Sequence, residues 1–575
     1  MLRKIFLWIT TGVVLGIYSS PLVLAADETT QAAARETVSP AETFARERER
    51  AKPSLGEKPE IISEEEKEEL AAEDKGPFFT LKKIAFEGNT VFPEKEFEKY
   101  AAGFLNRKTS FLELKKLAKQ VTNHYRLNGY ITSRAYLPPQ TIAEDTVTIR
   151  VMEGWIDRIW AEGNKFFGSH LYTRAVRIPK DKPFQYQDLE NSLYFFNQRP
   201  DRIARAYLIA GEKPGTSDII LKAEETFPLH LSYEFNNRGT RLTHRARQLA
   251  HLDHNNLLGQ GDILNASYAF AEQDAFHGGS WNYTLPMDET RTRLHFDGSV
   301  VESSLVKHIK PFEVEGESLT MAPGLTQSFV QTPAFTFDGY LGFEFKDSKT
   351  LVDDLKTSFD RLRILRMGPR FTWQDPRGRT FLNGDFHWGI PDFLGSDSEV
   401  DENASRPNAG GEFLYYTANL ARLQRLPWAS FLLLRAGTQL TNDNLPSPEQ
   451  FRVGGAYTVR GYPESDSVGD TGYNFSAELN IPSFFFPKTW EVPFQKRKWT
   501  DTVRWVGFVD GGAAYFRERA FEGEVKNRFL LGTGFGVRVD MGKTFSLQLD
   551  LGWPLGDKST DEDQWQTHLA LRAGF

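Results

Sequence analysis

The sequence predicts a transmembrane antiparallel β-barrel of about 16 strands, preceded by two small βααββ domains and an N-terminal helix and linker. Three observations predict it. An export signal opens the chain, paired sequence markers recur at near-equal offsets between residues 77 and 226, and alternating segments rich in Phe, Tyr, Trp and Gly fill the chain after Phe227.

Arg3 and Lys4 precede an apolar run from Ile5 to Leu24, and Val23-Leu24-Ala25 has cleavage-site spacing, so residues 1–25 read as a signal peptide cut after Ala25. Thr10, Thr11, Ser19, Ser20 and Pro21 weaken the reading as an uncleaved anchor. No later stretch approaches the roughly 20 apolar residues a spanning helix needs, so any further span must be β. Residues 26–76 are rich in Ala, Glu, Lys and Pro and cannot bury a core of their own. Within them, Pro40 to Lys52 carries strong helix formers with Glu/Arg pairs, and Ser63-Glu64-Glu65-Glu66 resembles a capping box. The run Glu64 to Glu69 reads as a solvated face.

From Phe78 the chain takes the order strand (Thr80 to Glu87), helices (Pro93 to Leu105, Phe111 to Leu127), strands (Ile131 to Leu137, Thr146 to Met152). The order then returns as strand Ile156 to Ala161, helices Ser169 to Val176 and Tyr186 to Asn197, and strands Ile203 to Ile209 and Asp218 to Lys222. Glu87-Gly88-Asn89 recurs as Glu162-Gly163-Asn164, and Arg134-Ala135-Tyr136-Leu137 as Arg205-Ala206-Tyr207-Leu208. Near-equal offsets for two separate markers are what a duplicated domain predicts, giving domains at 77–154 and 155–226. An exposed strand edge in such a unit permits binding of extended peptides by strand addition.

In residues 227–575 helical periodicity is lost. Trp565, Thr567, Leu569, Leu571, Ala573 and the terminal Phe575 alternate with Gln566, His568, Ala570, Arg572 and Gly574. Phe545 to Trp553 alternates likewise with Ser546, Gln548, Asp550 and Gly552, and Phe529 to Met541 puts glycine and Arg538 on its inner face. Segments of about 10 residues with this period mark a transmembrane barrel with a polar interior. A soluble sandwich would alternate too, but has no reason to join an export signal to a strand ending in Phe. About 350 residues at roughly 20 to 22 per strand and connection give about 16 strands.

The totals exclude some chemistry. The chain has no Cys, so thiolate catalysis, Cys-rich zinc sites and disulfides are out, and a formal charge of −8 with a pI near 5.9 speaks against nucleic acid as a partner. His251-Leu252-Asp253-His254 could in principle grip a metal, but alternation splits its faces and the following Asn255 to Asp262 is dense in turn residues, so a periplasmic turn is the better reading. Gly532, Gly534 and Gly536 share one strand face and read as small inward residues that leave lumen space. No Gly-x-Ser-x-Gly or other local nucleophile signature is found, so no catalytic residue is assigned.

One pair stands out. Phe451 to Ile481 is a long glycine-marked loop carrying Val459-Arg460-Gly461-Tyr462, and the strand after it carries Phe508-Val509-Asp510-Gly511-Gly512. Asp510 has the parity of Arg504, Val506 and Phe508, against Trp505, Val509, Ala513 and Tyr515, and should face the lumen. A loop Arg can meet a lumen carboxylate in bidentate geometry; the alternative is that each is separately solvated in a wet pore.

These two stretches resemble the loop and partner-strand signatures of the outer-membrane superfamily whose members carry periplasmic POTRA domains. More narrowly, the chain is similar to the TpsB transporters of two-partner secretion. Gly129 to Gln140 (GYITSRAYLPPQ) resembles the first POTRA of that branch, Pro214-Gly215-Thr216-Ser217-Asp218 its second, and Phe235-Asn236-Asn237-Arg238-Gly239 with Asn256 to Asp262 (NLLGQGD) its first barrel hairpin. The resemblance implies a 16-stranded barrel, two POTRA domains and a pore-filling helix, here Pro40 to Lys52 with residues 53–76 as linker. It implies an outer-membrane protein that exports a large unfolded partner bearing an N-terminal secretion domain, without a cofactor. Further partners on this reading are outer-membrane lipids and the outer-membrane assembly machinery, with Phe575 as assembly signal. Site residues are Val459, Arg460, Gly461 and Tyr462 in the loop and Phe508, Asp510 and Gly512 on its partner strand. Residues 305–360 depart from the pattern, with an irregular, insertion-like stretch around Lys310 to Gln331. An outer-membrane protein insertase, a barrel enzyme and a porin are the alternatives.

Overall fold

The computed structural model describes residues 61–63, 78–142, 144–288, 291–305, 314–353, 355–487, 489–493, 497–518 and 527–575. The signal peptide, the Pro40 to Lys52 helix and the capping box at Ser63 fall wholly or mainly outside them.

The duplicated markers have a backbone cause. Gly88 and Gly163 both stand at φ +83°, and a Cβ on Gly88 would meet the Val151 carbonyl oxygen at 2.3 Å. Asn89 Nδ2 donates to the Phe92 carbonyl (2.9 Å) and Asn164 Nδ2 to that of Phe167 (3.0 Å), closing the same turn twice. In each domain one acidic side chain then gathers the freed amides. Glu153 accepts from the backbone of Thr90 (2.7 Å) and Val91 (2.8 Å) and from the Tyr125 hydroxyl (2.7 Å). Glu225 accepts from Lys165 (2.7 Å), Phe166 (2.6 Å) and Tyr172 (2.5 Å). Burial, reinforced by Glu153, pushes the Tyr125 phenol up, so it stays a donor.

The first domain orders its strands Lys83–Glu87, Thr146–Met152, Arg134–Tyr136, the first pair parallel and the second antiparallel. Helix Phe111–Leu127 starts on a capping box between Ser110 and Glu113 and buries Leu114, Leu117, Val121 and Tyr125. The strand expected over Ile131 to Leu137 shrinks to Arg134–Tyr136 ahead of Pro138-Pro139, and the helix expected over Pro93 to Leu105 to Lys95–Ala101 plus a 3₁₀ turn. The second domain pairs Trp155–Glu162 with Thr216–Glu225 in parallel and the latter with Arg202–Ala210 antiparallel. Ile61–Ser63, from the expected linker, adds a further parallel strand to Arg202–Ala210.

Sixteen antiparallel strands close the barrel. They are β1 (Leu229–Asn236), β2 (Arg247–His254), β3 (Ile263–Phe270), β4 (Phe276–Pro286), β5 (Thr292–Ser304), β6 (Val314–Gln331), β7 (Phe335–Val352) and β8 (Leu355–Asp375), followed by β9 (Gly378–Gly389), β10 (Phe413–Arg425), β11 (Phe431–Thr441), β12 (Thr471–Pro482), β13 (Val503–Tyr515), β14 (Asn527–Asp540), β15 (Phe545–Pro554) and β16 (Gln566–Gly574). β1 closes on β16 from Ser232 opposite Gly574 to Asn236 opposite Ala570, and the Phe575 amide donates to the Leu231 carbonyl (2.8 Å). Among the described residues no helix is long and apolar enough to cross a membrane.

Two expectations are corrected here. The stretch around Lys310 to Gln331 is no irregular insertion where it is described: β6, β7 and β8 run 18, 18 and 21 residues as paired strands, with register shifts only at Ser328/Val330 and Thr350/Leu351, longer than the roughly 10 a span needs. Pro323 hid β6. Proline donates nothing to a ladder, and pairing with β7 breaks between Met321 and Gly324 while pairing with β5 continues. His251 to His254 end strand β2 rather than forming the turn, which begins at Asn255.

The second α/β domain docks on the barrel through Asp201. Its carboxylate, fully buried, accepts from Lys543 (2.6 Å), Thr226 (2.6 Å) and Asn255 (2.6 Å) and lies 2.6 Å from His230 Nε2. Asn256 Nδ2 donates to the Phe166 carbonyl (2.9 Å), and Gly261, at φ +71°, leaves room for the Arg202 guanidinium. Burial pushes the Asp201 carboxyl up, but Lys543, Thr226, Asn255 and His230 together outweigh it and hold it down at about 2. A depressed carboxylate stabilises fully above its unfolded value near pH 4 and loses that contribution as pH falls through its folded value. The junction is therefore expected to weaken by about 2 kcal/mol between pH 4 and pH 2. Thermal unfolding in detergent should show this acid limb in the unmodified chain and a shallower one, from a lower starting point, in Asp201→Asn.

Candidate functional site

The loop between β11 and β12 folds back into the lumen. Phe451–Val453 and Ser467–Gly469 pair as a small antiparallel ribbon, and the tip they hold carries Val459-Arg460-Gly461-Tyr462. Arg460 is 2% exposed and Asp510 1%. The guanidinium meets Asp510 in a fork, Nε to Oδ2 at 2.7 Å and Nη2 to Oδ1 at 3.0 Å, and the Arg460 amide donates to Oδ2 at 3.1 Å. Its remaining nitrogen, Nη1, donates to Glu478 Oε2 on β12 at 2.6 Å and lies 3.6 Å from Asp550 Oδ2 on β15. The Phe508 ring centroid lies 3.5 Å from the guanidinium carbon, a cation–π contact that covers one face of the guanidinium.

Parity placed Asp510, Asp550 and Arg538 on the lumen face, but Glu478, Asp550, Arg538 and His568 were not assigned to the site. Arg538 Nη1 and Nη2 fork onto Asp550 at 2.8 and 2.9 Å and reach Glu478 at 3.4 Å, while Arg435 stands 3.7 Å from Glu478. Three guanidinium groups thus face three carboxylates, so the buried cluster is close to neutral. The Gly461 amide donates to His568 Nε2 at 3.3 Å. Only closure of the barrel brings β12, β13, β15 and β16 around one loop tip. A linear reading shows faces and not neighbours.

The glycines explain the close approach. Gly461 stands at φ +100°, and a Cβ there would lie 2.9 Å from the Trp553 carbonyl carbon. On the wall, a Cβ on Gly532 would meet the Arg460 carbonyl oxygen at 1.9 Å, and one on Gly552 the Gly461 nitrogen at 2.5 Å. The space left by Gly532 is therefore filled by the loop, which corrects the reading of open lumen. Gly512 leaves room for Val453 of the ribbon. Val459 and Tyr462 pack with Val453, Ala514 and Leu530, and the Tyr462 hydroxyl donates to the Leu531 carbonyl (3.3 Å) and accepts from the Gly556 amide (3.1 Å). Arg238, in the Phe235 to Gly239 stretch, hydrogen-bonds Tyr457 and covers its ring at 4.6 Å. Phe575 lies away from this cluster at the β1–β16 seam, with its ring exposed.

Nothing in the cluster is arranged as a nucleophile and base, and no group of three metal-ligating side chains occurs among the described residues. A lumen-held loop and tandem α/β domains on a closed 16-stranded barrel define the class of POTRA-bearing outer-membrane barrels. The family model of the haemolysin secretion/activation protein ShlB/FhaC/HecB matches residues 215–539, and that of the ShlB-type POTRA domain residues 79–154; the chain belongs to this two-partner secretion family. Its members are transporters rather than enzymes, and it resides in the outer membrane with its POTRA domains in the periplasm. Among similar proteins, outer membrane transporter CdiB of Dickeya dadantii is 24% identical over 84% of this chain and 83% of its own. Hemolysin transporter protein ShlB of Serratia marcescens is 24% identical over 79% and 78%. The solved structure of CdiB from Escherichia coli shares the fold, with a TM-score of 0.69 at 21% identity over 98% of this chain and 100% of that one.

Removing one partner from a buried, hydrogen-bonded ion pair costs about 3–5 kcal/mol. Arg460→Ala is therefore expected to free the loop while the barrel still assembles, seen as heat-modifiable mobility of the folded barrel together with new protease cleavage between 451 and 469. Arg460→Lys should behave like Ala, because one ammonium cannot reach Asp510 in a fork and Glu478 together.

Proposed function

We propose that this chain captures one large, unfolded secreted partner on its POTRA pair by strand addition and passes it as extended chain through the barrel, with the Arg460 clasp setting the loop's position in the pore. No nucleotide or cofactor enters this reading. Folding of the partner outside would bias movement outward. On this reading Phe575 is the signal by which the assembly machinery recognises the strand that closes the barrel, residues 1–25 are the cleaved signal peptide, and Pro40 to Lys52 is the helix that vacates the pore.

The observation that carries capture by strand addition is the pairing of Ile61–Ser63 with Arg202–Ala210: the edge beside Ala206 accepts an extended segment as a parallel strand. The equivalent strand of the first POTRA, Arg134–Tyr136, is the last in its sheet and pairs on one side among the described residues. The names of relatives support a protein-export role: one is a hemolysin transporter and another, from Haemophilus influenzae, a heme/hemopexin transporter. An insertase reading is not favoured, since the family match is to secretion proteins.

Because the chain has no Cys, single cysteines can be placed at Tyr136 and Tyr207 without background. With a co-expressed partner carrying cysteines through its N-terminal secretion domain, disulfides are expected at every second partner position, the period of a β-strand. Crosslinks without that period, or none while export continues, would overturn capture by strand addition.

A further inference from the structure

The periplasmic rim of the barrel is divided. The second POTRA covers one arc, from Lys543 between β14 and β15, past His230, Asn255 and Gly261, to Asp288, which pairs with Arg177, and Gln374, which accepts from Tyr194. The other arc carries the β10–β11 turn and the long β12–β13 turn. These expose large rings: Trp428 is 85% exposed, Phe485 81% and Phe484 70%, with Trp490 also exposed.

Two features bear on where these rings lie. Phe485 lies 5.8 Å from Trp505 in an edge-to-face contact, and Trp505 stands on the outer, Val509 face of β13, opposite to Asp510. The aromatic surface of the turn therefore continues the lipid-facing wall without a break. Trp428 and the following Ala429 both take left-handed backbone, φ +58° and +56°, at the two central positions of a turn where Asn-Gly is the unstrained choice. Arg504 ties the two turns together, Nη1 donating to the Ala429 carbonyl at 3.1 Å and the guanidinium lying 5.1 Å from the Phe431 ring. Exposed Arg497 and Lys498 stand on the same turn, against Glu491 and Asp501, and the sequence adds Lys488 and Lys496.

We propose that Trp428 on the β10–β11 turn and Phe484, Phe485 and Trp490 on the β12–β13 turn form a lipid shelf at the headgroup level of the periplasmic leaflet, with Arg497 and Lys498 holding phosphates of anionic phospholipids. Aromatic side chains with an apolar body favour that depth, and basic side chains beside them gain from a negative surface. The shelf fixes the height and tilt of the β11–β13 wall, to which the loop clasp is bound, on the side where no POTRA contact occurs among the described residues.

The full chain, reconstituted in phosphatidylethanolamine/phosphatidylglycerol vesicles, tests this with single nitroxides at Trp428→Cys, Phe484→Cys and Phe485→Cys. All three should collide with oxygen more than with a water-soluble nickel chelate, as Val509→Cys on the lipid face does and Lys213→Cys on the POTRA does not. Preference for the nickel chelate at the turns would overturn the shelf and leave this surface to a protein partner. In a second arm, Arg497→Gln/Lys498→Gln should lower phosphatidylglycerol retained in native mass spectra roughly tenfold, with phosphatidylethanolamine unchanged. Equal retention of phosphatidylglycerol would overturn the headgroup contact.

Discussion

A guanidinium buried among carboxylates can leave only if both signs are neutralised elsewhere, and the lumen of this barrel is organised around that constraint. Arg460 is held by Asp510, Glu478 and the Phe508 ring, and Glu478 is shared with Arg538 and Arg435. The wall glycines Gly532 and Gly552 let the loop backbone come close enough for this contact. At the loop's other end, Glu449 takes Lys346 of β7 and the Tyr415 hydroxyl of β10 (2.6 Å). Strands β7 and β15 are eight apart in a ring of sixteen, so the loop joins opposite walls and crosses the pore. A chain can pass only if this strut moves or is passed by.

Support for the clasp is divided around the rim. On one arc Asp201 ties the second POTRA to β1 and two periplasmic turns through buried polar contacts, so this domain is mechanically continuous with the first strand of the barrel. On the other arc, below β11 to β13, aromatic turns face outward. The clasp joins walls anchored in these two different ways.

Much of this was legible because alternation in a barrel is a strict two-state code: each residue faces lipid or lumen, and Asp510, Asp550 and Arg538 could be placed on the correct face from parity alone. The duplicated α/β units were legible because Glu-Gly-Asn needs a left-handed glycine wherever it occurs. Parity carries no information about which strands converge on a loop, so the sharing of Glu478 and Asp550 among several guanidinium groups, and the acceptor role of His568, were not. Gly532 was read as space because its occupant comes from a residue 72 positions earlier.

The central claim is that Arg460 holds the loop in the lumen. Pulsed electron–electron distances between nitroxides at Ala456→Cys on the loop and Val509→Cys on the outer face of β13, in vesicles, test it most directly. With Arg460 present the account predicts one narrow distance distribution; with Arg460→Ala in the same pair it predicts a broad distribution reaching longer distances. An unchanged narrow distribution in Arg460→Ala would contradict it.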